Sequence, residues 1–195
     1  MGEEIMFIQT EETPNPATMK FLPGRDVMGE GTLDIASSAD AAQSPLAEIL
    51  FGIEGVRGIF LGKDFITITK SDTKNWAAMK PPVLTAIMEH FTANKPIVAI
   101  AIAGGIALAE PQQSSNAEDA AIIAKIRDLL DHKIRPAVAQ DGGDITFQSY
   151  DDGVVYLNLK GSCAGCPSSS MTLKAGVENM LRHYVPEVRE VRQVR

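Results

Sequence analysis

The spacing of hydrophobic positions changes several times along this chain, and each change predicts an element. "MFIQTEE" and "ATMKFLPG" read as two short strands around "TPNP", where Thr13 and Asn15 each precede a proline and are pushed toward extended backbone. The four residues between them form a rigid corner. "SPLAEILFG" predicts a short helix, with Ser44 as its cap, Pro45 at the first helical position and Gly52 as its stop. "VRGIFLGKDFITITK" predicts a hairpin turning at "GKD", with Ile66 and Ile68 on one face and Phe65, Thr67 and Thr69 on the other. A helix follows Asn75, because Trp76, Met79, Val83, Ile87 and Phe91 share one stripe; Pro81 and Pro82 should kink it or mark its true start. Trp76 is read as core.

A second set of elements begins after residue 116. Ile123, Ile126, Leu130 and Ile134 make the apolar stripe of a helix capped near Asn116 and ending before Pro136. "ITFQSY" and "VVYLNL" alternate as two strands around the polar "DDG". Leu173, Val177, Met180, Leu181 and Tyr184 return to helical spacing until Pro186, and "VREVRQV" supplies a last strand. The polar stretch "EPQQSSNAED" separates the two sets. The organisation is therefore a domain over 1–95, a linker over 96–116 and a second domain over 117–195. The fold class is α+β, built from two small layer domains, ββαββα-like and then αββαβ. Within the linker, "IVAIAIA" fits a buried strand and an exposed apolar segment equally well.

Composition narrows the function. A chain of 195 residues, 45% hydrophobic and 22% charged, has room for two modest cores. Its net charge of -7 argues against a phosphate-backbone binder, so nucleic acid is not expected as a partner. The apolar run "PIVAIAIAGGIALA" is shorter than the roughly 20 residues a membrane span needs, and Gly104 and Gly105 interrupt it. The first residues carry neither a basic region nor an apolar run of signal-peptide length, from which a reducing, cytoplasmic setting is expected.

Chemistry concentrates in "GSCAGCPSSS", which holds both cysteines of the chain, Cys163 and Cys166. In a reducing setting such a pair points to metal or redox chemistry before a structural disulfide. Pro167 suits the first helical position, so both thiols precede a helix amino terminus, whose free N–H groups favour negative charge and lower a cysteine pKa. Gly161 and Gly165 let the backbone curl around one point. Three readings compete: inert cysteines in a turn, a thioredoxin-like dithiol, and a metal site. The dithiol reading suits the strand–CxxC–helix order but not the preceding hairpin. For a metal site, His90, His132 and His183 lack zinc-ligand spacing, and an iron–sulfur cluster normally needs four thiolates. Two chains meeting across a two-fold axis would supply them. Asp141 and Asp144 could form a carboxylate pair, but "DGGD" has the composition of a turn, with Gly142 and Gly143 at positive φ. Lys160 and Lys174 flank the loop as solvated lysines that could also face an anion.

These residues resemble a known family. "RPAVAQDGGDI" and "GSCAGCPSSSMTLKAGVE" are similar to the two hallmark segments of the NifU-like carboxyl-terminal domain, over about the last 75 residues. "TEETPNPATMKFLPG", "SPLAEILFGIEGV" and "IFLGKDFITITK" resemble the amino-terminal domain of the Nfu subfamily. The resemblance implies an iron–sulfur cluster scaffold or carrier, not an enzyme. It also implies a [4Fe–4S] cluster held between the subunits of a homodimer through Cys163 and Cys166. Upstream assembly proteins would supply the cluster and apo iron–sulfur client proteins would receive it. The chain lacks the further cysteines of nitrogen-fixation NifU, so the activities of that protein's additional domains are not implied. A CxxC dithiol redox protein is the alternative, and an interaction module with incidental cysteines a third reading.

Overall fold

The computed structural model describes residues 7–99, 117–164 and 167–194. Contacts divide the chain into two units, Met1–Ile106 and Ala107–Arg195. Each has its own sheet and its own buried core. The mixture of helices with two separate sheets is α+β, as the spacing of apolar residues predicts.

The first unit runs β1 (Gln9–Glu12), β2 (Thr18–Leu22), β3 (Leu33–Ile35), a 3-10 turn (Ser38–Gln43), α1 (Pro45–Phe51), β4 (Val56–Leu61), β5 (Ile66–Lys70) and α2 (Trp76–Thr92). Its strands lie in the order β1-β2-β5-β4-β3, all pairs antiparallel. Ser44 caps α1 by accepting the Ala47 N–H, Pro45 opens the helix and Gly52 closes it. Leu46 and Leu50 of α1 and Val83 and Ile87 of α2 are packed in one core with Phe21, Ile59, Ile66 and Ile68 of the sheet. Trp76 is half-buried at the edge of that core, and its indole N–H donates to the Pro16 carbonyl at 3.1 Å.

In this unit the helix expected after Asn75 forms there, and one strand is added to those expected. α2 starts at Trp76, where the Asn75 side chain caps the Ala78 N–H, and continues through Pro81 and Pro82. Each proline forfeits a bond to the carbonyl four residues back, at Ala77 and Ala78, and both of those residues are exposed, where an unpaired carbonyl costs little. β3 was not among the expected strands. It is three residues long and is held by partners far along the chain, Leu33 opposite Leu61 and Ile35 opposite Ile59. Of the linker expected over 96–116, only residues 96–99 are described. There the Ser44 hydroxyl donates to the Ile97 carbonyl, and the Ala99 N–H to that of Gln43. The remainder, including the cap expected near Asn116 and most of "IVAIAIA", lies outside the described residues.

The second unit runs α3 (Ala117–Leu129), a π-helical turn (Leu130–Ile134), α4 (Arg135–Gln140), β6 (Gly143–Asp151), β7 (Val154–Gly161), α5 (Pro167–Tyr184) and β8 (Glu190–Val194). β7 is central, antiparallel to β6 and parallel to β8. Ile126, Leu130, Ile134 and Val138 share a core with Ile145, Val155, Leu157, Val177, Leu181 and Val191. The helix expected to stop before Pro136 continues past it to Gln140. The Arg135 N–H bonds to the Leu130 carbonyl five residues back, and this widened turn admits a proline that a regular α-helix would reject. Arg135 follows the widened turn directly and reaches the start of β6. Among the described residues, no helix is long and apolar enough to cross a membrane.

Candidate functional site: the cysteine loop and its platform

Cys163 follows the end of β7. Gly161, at φ 62°, turns the chain out of the strand, in a conformation that favours glycine. Ser162 then ties the turn to the segment before β6: its N–H donates to the Gly142 carbonyl at 3.2 Å and its hydroxyl to the Asp141 carbonyl. α5 starts at Pro167, as expected. Cys166 and Gly165 lie outside the described residues.

Cys163 is 6% exposed, and its sulfur rests on Gly143. A Cβ built on Gly143 would stand 2.5 Å from its Sγ and 2.8 Å from the Lys160 carbonyl oxygen. Only glycine fits there. This corrects one reading of "DGGD": Gly142 has positive φ, at 79°, whereas Gly143 is a strand residue, paired with Gly161, whose missing side chain makes room for sulfur. The thiol's titration is also displaced opposite to expectation. Burial pushes Cys163 up to about 11, opposed by the Ser162 hydroxyl at 3.9 Å and reinforced by the Asp141 and Asp144 carboxylates. A helix end of about half a charge does not offset loss of water around a thiolate.

Asp144, read from sequence as turn architecture, does more. Its carboxylate is buried and takes both prongs of the Arg135 guanidinium, from Nε at 2.8 Å and Nη2 at 3.0 Å, while Nη1 reaches Asp131 at 3.0 Å. It also accepts the Ile145 N–H at 2.8 Å. Hydrogen bonds to the two carboxylates hold the Arg135 pKa above its ordinary value, against burial. Sequence reasoning missed Arg135 because the pair is nine residues apart across a helix-to-strand turn, and no spacing rule links those positions. Lys160 stands opposite Asp144 in the sheet, and Lys174 lines an apolar cleft with Leu173 and Val177.

The histidines do not converge on the loop. His132 bonds Asp128, His183 meets the Tyr184 ring edge-on, and His90 is buried in the first unit. Among the described residues, no three His, Cys, Asp or Glu side chains are grouped to hold a metal ion.

Residues 8–94 match the family described as Scaffold protein Nfu/NifU N terminal, and residues 126–192 match the NifU-like domain. A protein of Drosophila willistoni, named NFU1 iron-sulfur cluster scaffold homolog, mitochondrial, is 49% identical over 199 residues, covering 100% of this chain. The protein of the same name from Drosophila persimilis is 48% identical over 199 residues, covering 100% of this chain and 67% of its own length. The chain spans 65% of the D. willistoni protein. A solution structure of a NifU-like protein from Saccharomyces cerevisiae is a looser likeness, with a TM-score of 0.46 at 24% identity over 51% of this chain and 90% of that one. These names overturn the cytoplasmic expectation, since the relatives are mitochondrial. The first residues of a chain shorter than its relatives are no measure of compartment. The chain belongs to the Nfu/NifU family of iron–sulfur cluster scaffold proteins, which are not enzymes.

Proposed function

We propose that this chain carries an iron–sulfur cluster as cargo, bound by Cys163 and Cys166 of each of two subunits, and passes it from upstream assembly proteins to apo iron–sulfur client proteins. The observation that carries the reading is Cys163 itself, held at the turn out of β7 and followed within four residues by α5. Two-iron and four-iron clusters normally take four thiolates, and one chain contains two cysteines, so a second copy completes the set. The cluster is assigned as [4Fe–4S] on the family resemblance. The working compartment is mitochondrial by the same likeness. Residues 117–195 form the cluster-binding domain in this reading, 1–95 the Nfu-type domain and 96–116 the linker.

In the cargo-free protein the Cys163 thiol is sheltered and, with its pKa near 11, protonated at neutral pH. Cluster uptake therefore displaces a proton and a packed contact, so loading tightens as pH rises. A thiol held in that state is a poor nucleophile, which counts against the dithiol redox reading.

Anaerobic reconstitution with iron and sulfide tests the proposal. The expected result is one cluster per two chains, a monomer-to-dimer shift in sedimentation, and loss of both in Cys163→Ser and in Cys166→Ser. A fully loaded monomer, or a cluster retained when both cysteines are serine, defeats it.

A further inference from the structure

Cys163 alone does not account for the half-buried ion pair on the segment beneath it. Arg135 opens α4 and Asp144 is the second residue of β6, so the pair closes both ends of the segment 136–143. That segment is the surface on which Ser162 and Cys163 are seated. Asp141 and Gly142 take the two hydrogen bonds from Ser162, and Gly143 takes the sulfur of Cys163. The Asp144 side chain is 5% exposed and that of Arg135 36%. The guanidinium fork meets both oxygens of that carboxylate, and its planar shape fixes the direction of the pair. Arg135 reaches a second carboxylate, Asp131, at the widened turn, which anchors the fork from its outer side.

We propose that Arg135 is a positioning residue for Cys163: acting through Asp144, it holds the "DGGD" platform on which the thiol is seated and thereby sets how readily Cys163 leaves that seat. This rests on Cys163 being a cargo ligand only for its importance, because the seating itself is measurable with no cluster present. Arg135 touches neither thiol nor cargo in this scheme. Loosening the fork releases Gly143 and Gly142 from beneath the loop, exposes the thiol in the cargo-free protein, and makes a loaded dimer surrender iron sooner.

The experiment uses the full chain carrying Cys166→Ser, so that Cys163 is the one cysteine, and follows its alkylation by iodoacetamide across low urea. Arg135→Lys keeps the positive charge but loses the fork, and is expected to react about tenfold faster, by local opening that responds weakly to urea. Arg135→Gln together with Asp144→Asn removes both charges and leaves side chains that hydrogen-bond to each other, and is expected to restore slow alkylation. An unchanged rate in Arg135→Lys overturns the proposal. So does acceleration that follows the urea dependence of global unfolding, which is what a purely structural role produces. If Arg135→Lys fails to fold, the double variant decides alone: a thiol as sheltered as in the parent supports action through Asp144, and a freely reactive thiol in a folded protein refutes it. A second measurement, chelator-driven cluster loss in the chain with both cysteines, is expected to be faster in Arg135→Lys. If that chain takes up no cluster at all while the alkylation pattern holds, the cargo reading fails and the positioning role stands.

Discussion

Each unit contains an irregular corner that must be held still before a strand begins, and the two corners are held by different means. In the first unit "TPNP" leads into β2 on neutral hydrogen bonds. Thr13 Oγ1 donates to the Asn15 carbonyl at 2.8 Å, Asn15 Oδ1 accepts from the Ala17 N–H at 3.0 Å, and the Trp76 indole closes on Pro16. In the second unit "DGGD" leads into β6 under a three-pronged arginine and against a sulfur atom. A neutral corner loses one hydrogen bond at a time, each worth about 1 kcal/mol. A corner built on a buried carboxylate loses its charge balance all at once. The structural corner uses the forgiving chemistry, and the corner beneath Cys163 uses the chemistry that fixes direction.

Substitutions at these corners sharpen that contrast. The largest effect is expected for Asp144→Ala, which strips the guanidinium of its buried partner. The second unit should lose about 2–3 kcal/mol in urea denaturation, below the full cost of an orphaned charge because Arg135 is one third exposed. Gly143→Ala should lose about 2 kcal/mol, since the added carbon meets both the Cys163 sulfur and a backbone oxygen that cannot yield. If Gly143→Ala is neutral, the seat for sulfur is looser than described. At the other corner, Asn15→Ala should lose about 1–2 kcal/mol from the first unit, because Asn15 is buried and caps the Ala17 N–H. A loss equal to that of Asp144→Ala would erase the distinction between the corners.

The first unit has its own buried titratable group, His90. Burial lowers its pKa, Lys95 adds to the lowering, and the hydrogen bond to the Pro96 carbonyl opposes it. The folded state therefore resists a proton that the unfolded chain accepts. Stability is full above the ordinary histidine value near 6.5 and declines as pH falls through the lowered folded value. His90→Gln should flatten the melting temperature between roughly pH 7 and 5. The smallest expected effect has the opposite sign. Gly176 lies inside α5 with nothing within 4 Å of a built Cβ, so Gly176→Ala should gain about 0.5–1 kcal/mol in thermal melting.

Several elements were legible because their signals are local. Ser44-Pro45 and Gly52 bound α1 within one helix length, the alternation of "VVYLNL" matches β7, and Pro167 marks the start of α5. β3 escaped because three residues carry no period, and its evidence lies in partners near residue 60. The helix through Pro136 escaped because proline reports only the bond it cannot make; the π-helical turn that accommodates it draws on packing of Leu130 and Ile134 into the core.

The amino-acid sequence alone determined the cysteine count, two thiols in one chain, half of the four that an iron–sulfur cluster normally takes. It also determined the order of the longer helices and strands, though not β3 or the helix beyond Pro136, because helix and strand periods and caps act over a few residues. Only the tertiary structure decided what surrounds Cys163: burial that keeps the thiol protonated, a glycine seat from a strand twenty residues earlier, and an arginine that neutralises the carboxylate beside it. Desolvation and ion pairing depend on which distant residues the fold brings within a few ångströms, and no pattern along the chain records that distance.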